Sequence, residues 1–217
     1  MSEAAAATRG EKRWPMAVAV IAASLLHATL PHELKAQQSI FVPLVSCGIL
    51  VVLILADPGR IDRVERWTRV ATGILFGFIT IANALSVYWL IAGIMDSASF
   101  ATARELLYAG GSVWITNVIA FSLWYWDLDA GGAAARANNS GPTPALIFPE
   151  MTHTEHVPEG WYPKYVDYLA FSFATALAFS PTDVSAVKSW AKLLMVTEAL
   201  ISLAVAALVI ARAINVV

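Results

Sequence analysis

Two runs of this chain, Val70 to Met95 and Trp190 to Ile210, stay apolar long enough to cross a lipid hydrocarbon core. A helix crossing about 30 Å at 1.5 Å per residue needs about 20 residues. Four shorter apolar segments accompany them: Pro15 to Leu30, Ser39 to Ala56, Ala109 to Trp126 and Val166 to Ser180. The second and fourth of the six reach the required length with their flanks, and the first is marginal. The fold class that follows is all-α, a polytopic transmembrane helix bundle forming a single integral membrane domain over residues 1–217.

Composition agrees. The chain is 58% hydrophobic with a mean hydropathy of +0.64, and only 14% of it is charged. A soluble domain carries about 25% charge. The net charge of −2 excludes nucleic acid, which calls for clustered positive charge. The single cysteine, Cys47, sits in an apolar run and reads as a small buried side chain, so no disulfide framework exists. The N-terminus is polar and basic before its apolar run, but no small-x-small cleavage site follows, so it reads as an uncleaved first span.

The fifth segment, Val166 to Ser180, would reach only about 22 Å as a helix. It is either a tilted short span or a half-helix that dips in and returns. The second case needs a cavity or a partner subunit, because non-helical backbone at membrane depth survives only where protein or water covers it. Tryptophans lie mostly near segment ends, as interfacial belts require. The WYWDLD at 124–129 is the clearest exit from a membrane.

Lys and Arg set the orientation. Arg9, Lys12 and Arg13 in the tail (residues 1–14) and Arg60, Arg63, Arg66 and Arg69 in the second loop place both in the cytoplasm. Six spans then put the long loop, residues 127–164, and the C-terminus there too. Only Lys35, Arg104, Lys188 and Lys192 fall outside on that count. The long loop opens with the flexible GGAAARANNSGPTP, and its prolines suggest an extended strap on the membrane surface. His153 and His156 flank Glu155 near Glu150 and Glu159. Without a third histidine or cysteine, this reads as a solvated acidic loop rather than a metal site.

Residues 165–217 form a helix-turn-helix. In SPTD at 180–183, Ser180 can cap a helix beginning near Pro181, with Asp183 as the capping-box acid at the positive end of the dipole. The stretch DYLAFSFATALAFSPTDVSAVKSWAKLLMVTEALISLAVAALVIARAINVV, residues 167–217, resembles the last quarter of a family of uncharacterised six-helix bacterial integral membrane proteins, a domain of unknown function. There a D-[FY]-L-[YA]-F-[AS]-F segment precedes a S/T-D-V turn and a final apolar helix. More distantly it is similar to the pore helix, filter and inner helix of two-span potassium channels. Phe171-Ser172-Phe173 and Thr175 match the pore-helix pattern, and Asp183 matches the acid after the filter. The resemblance implies a bacterial cytoplasmic (inner) membrane and a channel-like element. The filter itself is missing: Ala178-Phe179-Ser180-Pro181-Thr182 has no glycine to permit the required backbone angles, and Pro181 fixes φ. Channel orientation would also leave three basic residues inside and eleven outside.

Ionisable groups at membrane depth are the strongest functional leads. Glu198 lies inside the last segment with Ser202 on its face, and His27 and Lys192 are candidate partners. Glu198 is either one half of a hydrogen-bonded tie between helices or a proton or ion relay. A candidate polar path comprises Thr175, Ser180, Thr182, Asp183, Glu198 and Ser202. Gly73-xxx-Gly77 with Asn83, and Asn117 on the next segment, read as close helix packing, or as a dimer face. No catalytic constellation, metal site or cofactor motif stands out, so enzyme activity is not expected. The partners implied are the lipid bilayer and either further copies of the chain or a partner membrane protein. Two functions remain: a channel-like or transport protein with a hydrated cavity reaching Glu198, or a structural or accessory membrane subunit in which Glu198 is dry and paired.

Overall fold

A computed structural model describes residues 10–31, 40–57, 59–61, 65–95, 102–152, 155, 157–158, 160–178 and 183–216. In chain order the elements are β1 (Glu11–Lys12), α1 (Trp14–Thr29), α2 (Phe41–Ala56), β2 (Arg60–Ile61), α3 (Arg66–Met95) and α4 (Ala103–Leu128). There follow α5 (Ala133–Ala137), β3 (Leu146–Ile147), α6 (Tyr165–Ala178), β4 (Ser185–Ala186) and α7 (Ser189–Val216). Among the described residues the fold is all-helical apart from two antiparallel ladders of two residues a strand, β1 with β2 and β3 with β4. Three helices, α3, α4 and α7, are long and apolar enough to cross a membrane. α1 and α2 have 16 residues each and α6 has 14.

Local sequence explains the helix starts. Pro15 sits in the first turn of α1, where its missing N–H costs nothing. Thr102 caps α4 by accepting from the Glu105 N–H at 3.2 Å. α4 is the hub: it packs on α1, α3, α6 and α7, and 72% of its apolar stretch is buried, against 22% for α7. The long, exposed apolar face of α7 is what a lipid-facing helix presents.

One end of the bundle, here the tail end, is fixed by polar ties. Arg13 Nη2 donates to Asp57 Oδ2 at 2.8 Å, joining the start of α1 to the end of α2. Trp126 Nε1 donates to Glu11 Oε2 at 2.8 Å and the Tyr165 N–H donates to Glu11 Oε1 at 2.5 Å, bringing together the tail, the end of α4 and the start of α6. The far end is an apolar cluster of Leu30, Leu90, Leu106, Val113, Val205 and Val209, from α4 and α7 and the ends of α1 and α3.

This geometry bears on the two readings left open for the fifth segment, a tilted short span or a half-helix that returns. β4 pairs with β3 in the register Leu146↔Ala186, and Asp129, at the end of α4, binds the N–H groups of Ala145 and Leu146. The start of α7 therefore lies at the tail end, where α6 also starts. α6 does not run from end to end of the bundle, and the chain is back at its starting end by Ser185. Seven residue steps from Ala178 to Ser185 reach at most about 24 Å, enough to reverse the roughly 21 Å of α6. Consequently the start of α1 and the end of α7 lie at opposite ends of the bundle, whereas six spans would put them at the same one.

Two further expectations change. α7 begins at Ser189 rather than near Pro181, because residues 185–187 are engaged with the long loop, including a bond from the Val187 N–H to the Ala145 carbonyl at 2.8 Å. The long loop is not a solvated strap throughout: α5 is buried along its whole length, and Leu146 and Phe148 join the core. Gly141 permits that packing, since a Cβ there would sit 1.7 Å from the Ala130 carbonyl oxygen.

Candidate functional site

Glu198 is fully buried, with 0% of its surface exposed. It lies in the third turn of α7, facing α4 and α6. Its partners are neither His27 nor Lys192; Lys192 is exposed, and His27 is buried in α1. Tyr125 of α4 donates to Oε2 at 2.7 Å, and Ser172 of α6 meets Oε1. Ser172 sits seven residues into α6 and Glu198 nine into α7, so the two helices descend side by side from the tail end.

Counting protons around Ser172 fixes the chemistry of this tie. Its Oγ also lies 2.8 Å from the Val118 carbonyl of α4. A hydroxyl has one proton to give, and both Val118 O and an ionised Glu198 would demand it. The set closes when Glu198 is neutral: its own O–H then donates to Ser172 Oγ, Ser172 donates to Val118 O, and Tyr125 donates to the remaining carboxyl oxygen. No cation faces the carboxyl among the described residues, and an unpaired charge at zero exposure would be strongly disfavoured.

One turn along α7, Ser202 accepts from Asn117 Nδ2 at 3.2 Å, and Asn117 Oδ1 accepts from Asn83 Nδ2 at 3.1 Å. This ladder joins α7, α4 and α3. Thr175 donates to the Phe171 carbonyl of its own helix at 2.9 Å, and Asp183 is exposed at the tail end. Ser180 and Thr182 lie outside the described residues, as do His153, His156 and Glu159. The candidate polar path thus divides: Glu198 and Ser202 are bonded inside the bundle, and Asp183 stands apart from them. Around Gly73 and Gly77 a Cβ would meet nothing within 4 Å, so this pair is not a close-packing face within the chain. That role falls to Gly110, where a Cβ would sit 2.5 Å from Val209 Cγ2.

Nearer the tail end, a second group of buried polar residues surrounds the end of α4. Asp129 accepts from Ala145 N at 2.6 Å and Leu146 N at 3.3 Å through Oδ1, and from the Tyr168 hydroxyl at 2.7 Å through Oδ2. Arg136 Nη1 donates to the carbonyls of Trp126 and Asp129, both at 2.7 Å, capping α4, and its guanidinium lies 4.9 Å from the Tyr168 ring centroid. Burial pushes Glu11 above the usual carboxylate range, against the opposing pull of the Tyr165 N–H, the Trp126 indole and the charge of Arg136. Sequence reasoning passed over Tyr125, Asp129 and Glu11, whose partners lie far off in the chain, and Arg136, whose partners are backbone carbonyls ten and seven residues back. The one local signal was a basic residue isolated within the small-residue run GGAAARA.

Glu198 lines neither the cavity beside Arg13 and Asp57 nor the one beside Arg136 and Pro142. An apolar groove of about 630 Å³ runs along α4, α6 and α7 and is touched by Ser202. Comparison with known proteins adds no assignment: no family model, curated protein or solved structure matches the chain.

Proposed function

We propose that this chain is a structural or accessory integral membrane subunit with five crossing helices and one re-entrant half-helix, α6. The observation that carries the reading is the closed bonding of Glu198. A relay carboxyl needs a route for its proton or ion, whereas this one has no exposed surface and is tied to α4 and α6. Orientation follows from charge. The tail, the second loop, the long loop and the α6–α7 corner together hold eleven of the fourteen Lys and Arg residues, leaving Lys35, Arg104 and Arg212 opposite. The positive-inside rule puts that end in the cytoplasm and the C-terminus across the membrane.

Glu198→Gln tests the role of the carboxyl. Glutamine offers an acceptor to Tyr125 and a donor to Ser172, the same pattern as a neutral acid, so stability in detergent should change by less than about 1 kcal/mol. Glu198→Ala should cost about 2 kcal/mol or more, by leaving buried groups unpaired. In liposomes neither the wild type nor Glu198→Gln should pass protons or cations. Flux in the wild type that Glu198→Gln abolishes, with the fold intact, would replace this reading with the relay.

A second reading has its own support. A half-helix, a return to the same end and a long following helix is the order of a pore helix, filter and inner helix. A channel-like role would then place the path between copies of the chain at the α6–α7 corner, not through the bundle. Flux that survives Glu198→Gln but is lost in Asp183→Asn would favour it.

A further inference from the structure

Arg136 is 9% exposed and uses only one edge of its guanidinium. Nη1 holds the two α4 carbonyls, while Nε and Nη2 are buried without a hydrogen-bond partner. Buried donors on a charged group are rarely left open unless water or an ion completes them. Arg136 also lines a cavity of about 180 Å³ at the tail end, walled by Pro142, Pro144, Trp161 and Tyr162. A water takes about 30 Å³, so the space exceeds what one bridging water would need.

Two further cations stand near this cavity. Lys164 lies 5.9 Å from the Tyr162 ring centroid, and Lys188 Nζ donates to the carbonyl of Thr143, between the two wall prolines. Both lysines therefore stand at the rim. The acids nearby are engaged with other groups: beside Lys164, Asp167 accepts from the Lys164 N–H at 2.7 Å, with Glu150 close to it. Asp129, which lines the cavity, has three donors on its carboxylate, and Glu11 has two. Asp127 lines a separate cavity with Arg13 and Arg69. The unpartnered Nε–Nη2 edge is the fork that takes two oxygens of a planar or tetrahedral oxyanion at once.

We infer that this cavity is a binding site for a phosphate-type oxyanion, held by the free edge of Arg136 with Lys164 and Lys188 at the mouth. The same chemistry is offered by soluble phosphate and by the headgroup of an anionic lipid, since aromatic residues such as Trp161 and Tyr162 favour the membrane interface. The inference does not rest on the function proposed for the bundle.

The test uses the full chain. Purified protein in neutral detergent is titrated with inorganic phosphate by calorimetry, and protein in phosphatidylcholine nanodiscs with or without phosphatidylglycerol is assayed for retained anionic lipid by native mass spectrometry. Because Arg136 also caps α4, its own variants test folding as much as binding; the Lys164→Gln/Lys188→Gln pair, at the mouth, carries the comparison. Saturable phosphate binding, weakened about tenfold in the pair and by added salt, establishes a soluble-anion site. Retention of phosphatidylglycerol by wild type but not by the pair, without phosphate binding, assigns a lipid headgroup. No saturable phosphate binding, with anionic lipid held equally or not at all by both proteins, overturns the proposal.

Discussion

At the tail end of the bundle, buried charge-bearing side chains hold backbone in place: Glu11 bridges α4 and α6, Asp129 binds the long loop, and Arg13 meets Asp57. At the far end, Leu30, Leu90, Leu106 and Val209 form an apolar cluster, and Gly110 lets α4 approach α7 closely. The contrast has a physical cause. The tail end must organise irregular backbone, whose N–H groups need named acceptors. The far end joins helices whose backbone is already satisfied, so shape decides.

The largest effect should come from removing the acceptor that organises the tail end. Asp129→Ala orphans two backbone N–H groups and the Tyr168 hydroxyl. Each buried unpaired group costs about 1–3 kcal/mol, so a loss of at least about 3 kcal/mol is expected. Chemical denaturation in detergent, with limited proteolysis of the long loop, measures it. A loss below about 1 kcal/mol would mean that β3 and β4 are held by something else.

A far-end change should be smaller and should respond to volume alone. Gly110→Ala forces a methyl against Val209 and should cost about 1–3 kcal/mol, as overpacking does. Val209→Ala in the same chain should restore part of that. Gly73→Ala and Gly77→Ala meet open space and should be neutral or slightly stabilising through helix propensity. Damage from the latter pair, relieved at low protein concentration, would point to a face between copies.

The smallest effect concerns pH. Burial raises Glu11, so the folded chain keeps a proton that the unfolded chain releases near 4.5. That contribution is complete below 4.5 and is lost as pH rises through the folded value. Thermal stability should therefore decline with pH across that window, and Glu11→Gln should flatten the decline while lowering stability overall, since its amide cannot accept from both Tyr165 and Trp126. An unchanged slope would show that Glu11 is not the group responsible.

The same contrast explains what was legible beforehand. Helix positions followed from apolar run length: α2 ends at Ala56 and α3 at Met95, where their apolar runs stop. The shortness of α6 was visible too, but its return depends on Leu146 pairing with Ala186, forty residues away, through a strand too short to leave a periodic signature. Glu198 stood out as an acid in hydrocarbon, yet Tyr125 and Ser172 are ordinary residues until the fold brings them to it. Gly73-xxx-Gly77 has the spacing of a packing motif and faces open space, whereas Gly110, without a motif, makes the close approach. Spacing reports which residues share a helix face, not what that face meets.

The central claim is that α6 and α7 start at one end of the bundle, which puts the long loop and the end of α7 on opposite sides of a membrane. Single cysteines at Asn139 and Ile214, both exposed, in a Cys47→Ser background, test it directly. An impermeant thiol reagent added to intact cells should label the cysteine at 214 and spare the one at 139 until the membrane is permeabilised. Protection of both, or labelling of both, would mean that α6 crosses and that the chain has six spans.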